Sequence, residues 1–305
     1  MRLWAITSYF NPLRYQRRRA NFERFRAALD LPLAVAELGF DGHWELGPGD
    51  AELYLRIGDG DLMWQKERLL NLIIARLPAD CTHIAWIDCD LVTAAGWAQP
   101  VARALAEAPL VQAYRQVQYL GPDGAAERVA TSAVALINEG QAAAEILGGV
   151  TNRTGGAATP GMAWAARRDL ITRHGLYDGC IIGGGDTALA AAAYGCFDAV
   201  TALHRMNASQ QARYLAWAQP FHADVGGRIG VAALEVQHLW HGDLADRQAA
   251  ERHARLAQHD FDPHCDIMPG RDGAWRWASD KPALHQMLAD YFRARREDGV
   301  TLPAR

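Results

Sequence analysis

The stretch that decides the fold is HIAWIDCDLV, His83 to Val92. The apolar run Ile84-Ala85-Trp86-Ile87 leads straight into two carboxylates one residue apart, Asp88 and Asp90, and apolar residues resume at Leu91. A short apolar run bounded by polar residues reads as a strand buried on both faces. Side chains alternate along a strand, so Asp88 and Asp90 are expected on one side, with Cys89 turned away as a small core filler. In open α/β sheets, ligands bind beyond the carboxyl ends of the strands. Two acids at such an end repel each other unless a cation or a donor network stabilises them, and hard oxygen ligands suit Mg2+ or Mn2+. The alternative is that one acid caps the next helix and the other is solvated.

Outward from this strand the chain alternates apolar runs with helical patterns. Residues 3–10, 33–40 and 53–57 read as strands, and residues 14–29 as a helix with a basic, solvated face. Residues 64–77 place Leu69, Leu70, Ile73, Ile74 and Leu77 at helical spacing and stop at Pro78. Residues 96–108 read as a helix and 110–119 as one further strand. This rhythm implies βαβ units, hence an α/β fold with a mainly parallel sheet covered by helices on both faces. Residues 125–149 are Ala-rich and expected to be partly helical. Residues 148–161 read as an active-site-type loop and 162–166 as a short apolar segment. A helix is expected to start near Asp186. Residues 207–217 read as a helix, 229–239 as extended, 246–258 as a polar helix and 281–296 as an amphipathic helix. The whole chain, 1–305, is expected to form one domain, with lobes 1–124 and 125–245 and an extension 246–305.

Half of the 305 residues are hydrophobic and the formal net charge is −4, so there is ample material for a large core. This charge offers no bulk attraction for nucleic acid. The five cysteines form no CxxC pair, which points to free thiols in a reducing, cytoplasmic setting. The N-terminus lacks the long apolar segment of a signal peptide, and no apolar stretch approaches the ~18 residues of a membrane span.

Three further stretches carry chemistry. In VQHLWHGDLADR, residues 236–247, His238 and His241 lie three apart before Gly242, and a turn there would aim both imidazoles at one point. Two histidines beside a carboxylate favour Mn2+ over Mg2+; surface histidines flanking a core Leu and Trp are the alternative. In WQKERLLN, residues 64–71, Lys66 and Arg68 open a helix, where phosphate binding competes with an ordinary solvated face. In IIGGGDTAL, residues 181–189, three glycines permit close backbone approach to a ligand. Asp186 then stands at the helix start, as a helix-terminal acid or as an acceptor of a hydroxyl proton. Arg247 and Arg252 are expected in surface salt bridges, with phosphate contact as the alternative.

Taken in order, WQKERLLNLII, IAWIDCDLV, PGMAWAARRDLI, GLYDGCIIGGGDTAL and HLWHG resemble the motif series of GT-A fold, metal-dependent glycosyltransferases, in particular the β-1,4-galactosyltransferases and the inverting family-two transferases. Residues 67–71, ERLLN, parallel an RAKLLN segment, and 88–91, DCDL, parallel DVDL. Residues 161–164 parallel a small-residue strand, 183–186 a GGED turn, and 238–241 an MxxH or HxH metal element. The resemblance covers roughly residues 2–245. It implies a GT-A type, Rossmann-like mixed sheet and transfer of a sugar from a UDP-sugar to an acceptor hydroxyl, with inversion. The resemblance further implies Asp90, His238 and His241 as ligands of Mn2+ (or Mg2+), and Asp186 as general base. At the donor it implies Thr7, Tyr9, Asn11, Arg14, Lys66, Arg68, Asn71, Asp88 and Gly161; at the acceptor, Gly184, Gly185 and Asp186. Gly185 stands where these families carry Glu, and Cys180-Ile181-Ile182 replaces the Trp of a WGWGGE turn, so acceptor identity is not carried over. With neither anchor nor disulfides, the chain is more like a soluble enzyme of bacterial or phage type. A catalytically silent nucleotide-sugar binding module is one alternative. A nucleotidyltransferase is another, although SYFNPLRYQ lacks the Gly-rich loop such enzymes carry after the first strand.

Overall fold

The computed structural model describes residues 1–149, 158–249 and 251–299. Its strands, in chain order, are β1 (Leu3–Phe10), β2 (Leu33–Leu38), β3 (Leu53–Ile57), β4 (His83–Ile87), β5 (Leu91–Thr93), β6 (Leu110–Gln112) and β7 (Gln116–Leu120). They continue with β8 (Ala126–Ser132), β9 (Ala158–Thr159), β10 (Ala163–Arg167), β11 (Ile229–Val231), β12 (Glu235–His238), β13 (Ile267–Pro269) and β14 (Trp275–Trp277). The main sheet has the order β11-β6-β10-β4-β1-β2-β3. All of its pairings are parallel except those of β10, which runs antiparallel to β4 and β6. This is the mixed, mainly parallel α/β sheet expected from the sequence.

β1 shows why helices cover both faces. Trp4, Ile6 and Phe10 enter one apolar cluster with Leu69, Leu70, Ile73 and Ile74 of the helix Lys66–Ile74. Leu3, Ala5 and Tyr9 enter another with Phe22 and Phe25 of the helix Gln16–Ala28 and with Val101 and Leu105 of the helix Ala98–Glu107. A period of two along the strand thus divides its side chains between two cores.

Two expected strands are each broken in two. Residues 110–119 form β6 and β7, and residues 229–239 form β11 and β12; in both, the second piece crosses into a five-stranded sheet of order β5-β12-β7-β8-β9. The Ala-rich stretch begins as β8 before turning into the helices Ala133–Asn138 and Ala143–Leu147. The expected polar helix is a 3-10 turn, Leu244–Arg247, followed by the short helix Arg252–Leu256. Most of the expected loop 148–161 falls on residues 150–157, outside the described residues.

The second sheet positions the site. β12 pairs antiparallel with β5, with His238 opposite Leu91, and the Leu239 amide donates to the Asp90 carbonyl at 2.8 Å. Chain segments some 150 residues apart in sequence are thereby locked at the end of β4.

Candidate active site

β4 ends at Ile87. Asp88–Leu91 then forms a turn, closed by a hydrogen bond from the Leu91 amide to the Asp88 carbonyl at 3.1 Å. Both acids line one cleft of about 280 Å³, but they face different partners. Cys89, expected to turn away, lines this cleft too while packing against the core beneath, because the residues lie in a turn rather than along a strand.

Asp90 faces the two histidines. Its Oδ2 is 2.9 Å from His241 Nε2, its Oδ1 is 3.8 Å from His238 Nε2, and ligand atoms of all three lie within 4.8 Å of one another. Among the described residues this is the one such group of potential metal ligands. Asp90 Oδ1 is buried with no hydrogen-bond partner, an arrangement that costs free energy unless something further meets it. Burial, the largest influence, would raise the Asp90 carboxyl; His241, His238 and Arg247 outweigh it and hold the group well below the usual carboxylate range. Burial lowers His238 to about 3, with Asp90 opposing, so its imidazole is neutral and has a lone pair to offer at pH 7. One anionic oxygen donor and two imidazoles fit a divalent cation such as Mn2+.

A carboxylate stands behind these ligands. Glu297, 1% exposed, pairs with Arg18, accepts from Arg295 Nε at 2.6 Å and lies 3.8 Å from His241 Nδ1. Burial would raise Glu297, but Arg18 and Arg295 outweigh it and hold the carboxyl well below its ordinary range. The next residue, Asp298, accepts from the backbone amides of Gln16 and Arg17 at 3.1 and 2.8 Å, so it caps the helix Gln16–Ala28 from the far end of the chain. Arg18, expected on a solvated face, is thus drawn to the cleft wall.

On the other side of the cleft, Lys66 Nζ lies between Asp88 Oδ1, at 2.6 Å, and Asp186 Oδ2, at 2.8 Å. Burial would lower the Lys66 pKa; Asp186, Asp88 and Glu67 reverse this and raise it, so the ammonium stays charged. Lys66 was expected beside a phosphate. Its actual partners are two carboxylates, because the helix that carries it runs directly under the glycine turn. Asp186 sits in the first turn of the helix Gly185–Tyr194, after Gly184 at φ +100°, so it is a first-turn acid rather than a cap. Gly161 lies against it: a Cβ there would stand 3.3 Å from Asp186 Oδ2. Met162 holds a left-handed φ of +84°, rare for a non-glycine residue, and its carbonyl accepts from the Asp88 amide at 2.8 Å. This places backbone strain at the cleft.

Several residues expected at the donor do not line the cleft, because their polar groups are used elsewhere. Thr7 Oγ1 donates to the Ile87 carbonyl at 2.7 Å, and the Tyr9 hydroxyl donates to Glu45. Asn11 closes its own turn through Tyr15 and donates to Glu45 Oε1 at 2.8 Å. Arg14 is exposed and borders a separate narrow recess with Asn11, Glu37 and Glu45. Arg68 lies over the Trp275 ring, 4.1 Å from its centroid, and pairs with Asp178. Asn71 forms two 2.8 Å bonds with the backbone of Leu176. Asp88, Lys66, Gly161, Gly184, Gly185 and Asp186 do line the cleft.

Sequence reasoning passed over Arg18, Glu67, Arg295 and Glu297. Arg247 and Arg252 were expected on the surface, yet both line the cleft, and Arg247 Nη2 is 3.0 Å from His241 Nε2. The one local signal for Glu67 is an acid on the apolar face of its helix.

Burial, the largest influence, raises the Glu67 carboxyl; Lys66 opposes it, Asp186 and Asp88 add to it, and the group reaches about 8 from an ordinary 4.5. Between these values the folded protein keeps a proton that the unfolded chain has released. The associated stability is full below about pH 4.5 and lost as pH rises through about 8. Glu67→Gln has no proton to lose, so its melting temperature should gain on wild type across that window. Parallel melting curves would show that Glu67 is ionised in the folded protein.

No family model matches this chain, and no curated protein matches it. It is similar in fold to solved glycosyltransferase structures. One is glucosyl-3-phosphoglycerate synthase from Mycobacterium tuberculosis, in complex with Mn2+, UDP and phosphoglyceric acid: 14% identical over 94% of this chain and 91% of that one, TM-score 0.43. A second is S. aureus TarS 1-349 in complex with UDP: 11% identical over 95% of this chain and 70% of that one, TM-score 0.41. The galactosyltransferase LgtC, in complex with donor and acceptor sugar analogs, is 12% identical over 85% of this chain and 95% of that one, TM-score 0.34. No helix among the described residues is long and apolar enough to cross a membrane.

Proposed function

We propose that this protein is an Mn2+-dependent glycosyltransferase that moves a sugar from a UDP-sugar to an acceptor hydroxyl with inversion. The observation that carries this reading is one cleft holding both the Asp90–His238–His241 group and the Lys66-bound Asp186. Asp90, His238 and His241 would hold the cation, which when bound neutralises charge developing on the diphosphate leaving group. Arg247 and Arg252 face the same cleft and would meet phosphate oxygens. Asp88 and Gly161 would border the sugar.

Asp186 Oδ2 is engaged by Lys66, which leaves Oδ1 to take the acceptor proton. The acceptor oxygen then forms a bond to the anomeric carbon, the bond from that carbon to the diphosphate oxygen breaks, and its electron pair leaves with UDP. Attack opposite the leaving group inverts the centre. Five free cysteines, at 81, 89, 180, 196 and 265, suit the cytoplasmic setting that we assign.

Purified protein with Mn2+ and a panel of UDP-sugars and hydroxyl acceptors should release UDP and form a glycosylated product of inverted configuration by NMR. Neither UDP release nor Mn2+-dependent nucleotide binding across the panel would overturn the reading.

A further inference from the structure

Glu67 takes no part in the proton transfer or cation binding proposed above, yet it is 6% exposed, lines the cleft and lies next to Lys66 in sequence. Among the described residues, its carboxyl group has no hydrogen bond to any other residue, although Asp88, Asp186 and Lys66 surround it. It presses against the glycine turn. A Cβ on Gly185 would overlap the Glu67 carboxyl group and stand 2.9 Å from its Cγ, inside the 3.0 Å that real Cβ atoms keep. Gly185 has no positive φ, so its backbone does not require glycine. The space does, and Glu67 occupies it.

Resting on the transferase reading, we propose that Glu67 is an acceptor-binding residue: its carboxyl group, delivered under the glycine turn by the helix Lys66–Ile74, hydrogen-bonds a hydroxyl vicinal to the one that Asp186 deprotonates. The acceptor is accordingly a carbohydrate or other polyol with neighbouring hydroxyls, not an isolated alcohol. The raised pKa of Glu67 supports this, because a neutral carboxyl donates to a hydroxyl oxygen while Asp186 Oδ1 accepts from the next one. A vicinal diol offers that pair of contacts. The absence of a side chain at Gly185 is the complement of this arrangement, since a carboxyl group can reach the position from the helix or from the turn but not from both.

The test moves the acid. Glu67→Ala should raise the KM for glucose, N-acetylglucosamine or glycerol, used as probe acceptors, by about tenfold, the worth of one hydrogen bond. Mn2+-dependent UDP binding by calorimetry should stay within about twofold, since the cation ligands are untouched. Gly185→Ala, which displaces the Glu67 carboxyl without removing it, should copy this effect. In Glu67→Ala/Gly185→Glu the acid returns from the turn, and most of the lost acceptor affinity should return with it. Glu67→Gln keeps an N–H donor and should recover most of the loss as well. An unchanged acceptor KM in Glu67→Ala, or a double variant no better than the single one, overturns the assignment of Glu67 while leaving the transferase reading standing. Wild-type protein that transfers sugar to none of the probes and binds no UDP overturns both.

Discussion

Asp90→Ala is expected to abolish Mn2+-dependent UDP binding, with a loss of at least ~100-fold, since removal of a mere supporting contact to a metal ligand already costs 10–100-fold. Asp90 is the only anionic member of the three-residue group, and His238 is neutral at pH 7. Without Asp90, two imidazoles would remain beside the Arg247 guanidinium, which lies 3.0 Å from His241 Nε2, while Arg295 is already paired with Glu297. That environment repels a cation. The loss should appear both in Mn2+ titration followed by electron paramagnetic resonance and in UDP calorimetry. Retention of both affinities within about twofold would remove the metal site from this cleft.

Asp186→Asn should lower kcat for transfer by about 10²- to 10⁴-fold, the range attributed to a general base. UDP binding should survive, for a reason that lies in the ion pairs: Lys66 keeps Asp88 at 2.6 Å, so its buried charge is not left alone. The amide is also nearly isosteric, so the contact with Gly161 is kept. Initial rates and UDP calorimetry on the same preparation separate the two effects. An equal loss of both would mean that Asp186 acts by positioning Lys66 and Asp88 rather than by accepting a proton.

Local pattern made much of this legible. The strand His83–Ile87 matches its expected bounds, and the helix after the glycines starts at Gly185. His238 and His241 meet at one point, with ring centroids 5.1 Å apart. Apolar periodicity, glycine runs and closely spaced side chains are short-range signals, so one sequence can show them. The breaks after Gln112 and Val231 were not legible, because apolar alternation looks the same whichever sheet a strand joins. The partners of Thr7, Asn71 and Arg68 were not legible for a related reason. A polar side chain near a motif does not announce that a carbonyl, a backbone amide or a tryptophan face elsewhere has already claimed it.

The sequence by itself determined the strand that ends in Asp88 and Asp90, the glycine turn before Asp186, and the histidine pair, since each depends on residues within a few positions of one another. Only the tertiary structure decided how the two acids divide. Asp88 goes to Lys66 and Asp90 to the histidines, because the pairing of β12 with β5 and the course of the helix Lys66–Ile74 are long-range facts. The same holds for Glu67 beneath Gly185 and for Glu297 between Arg18 and Arg295. Buried acids are tolerated in the interior either as charges beside partners that folding brings from distant parts of the chain, as Glu297 is, or by keeping their proton, as Glu67 does. Their roles therefore become visible only when those partners are in place.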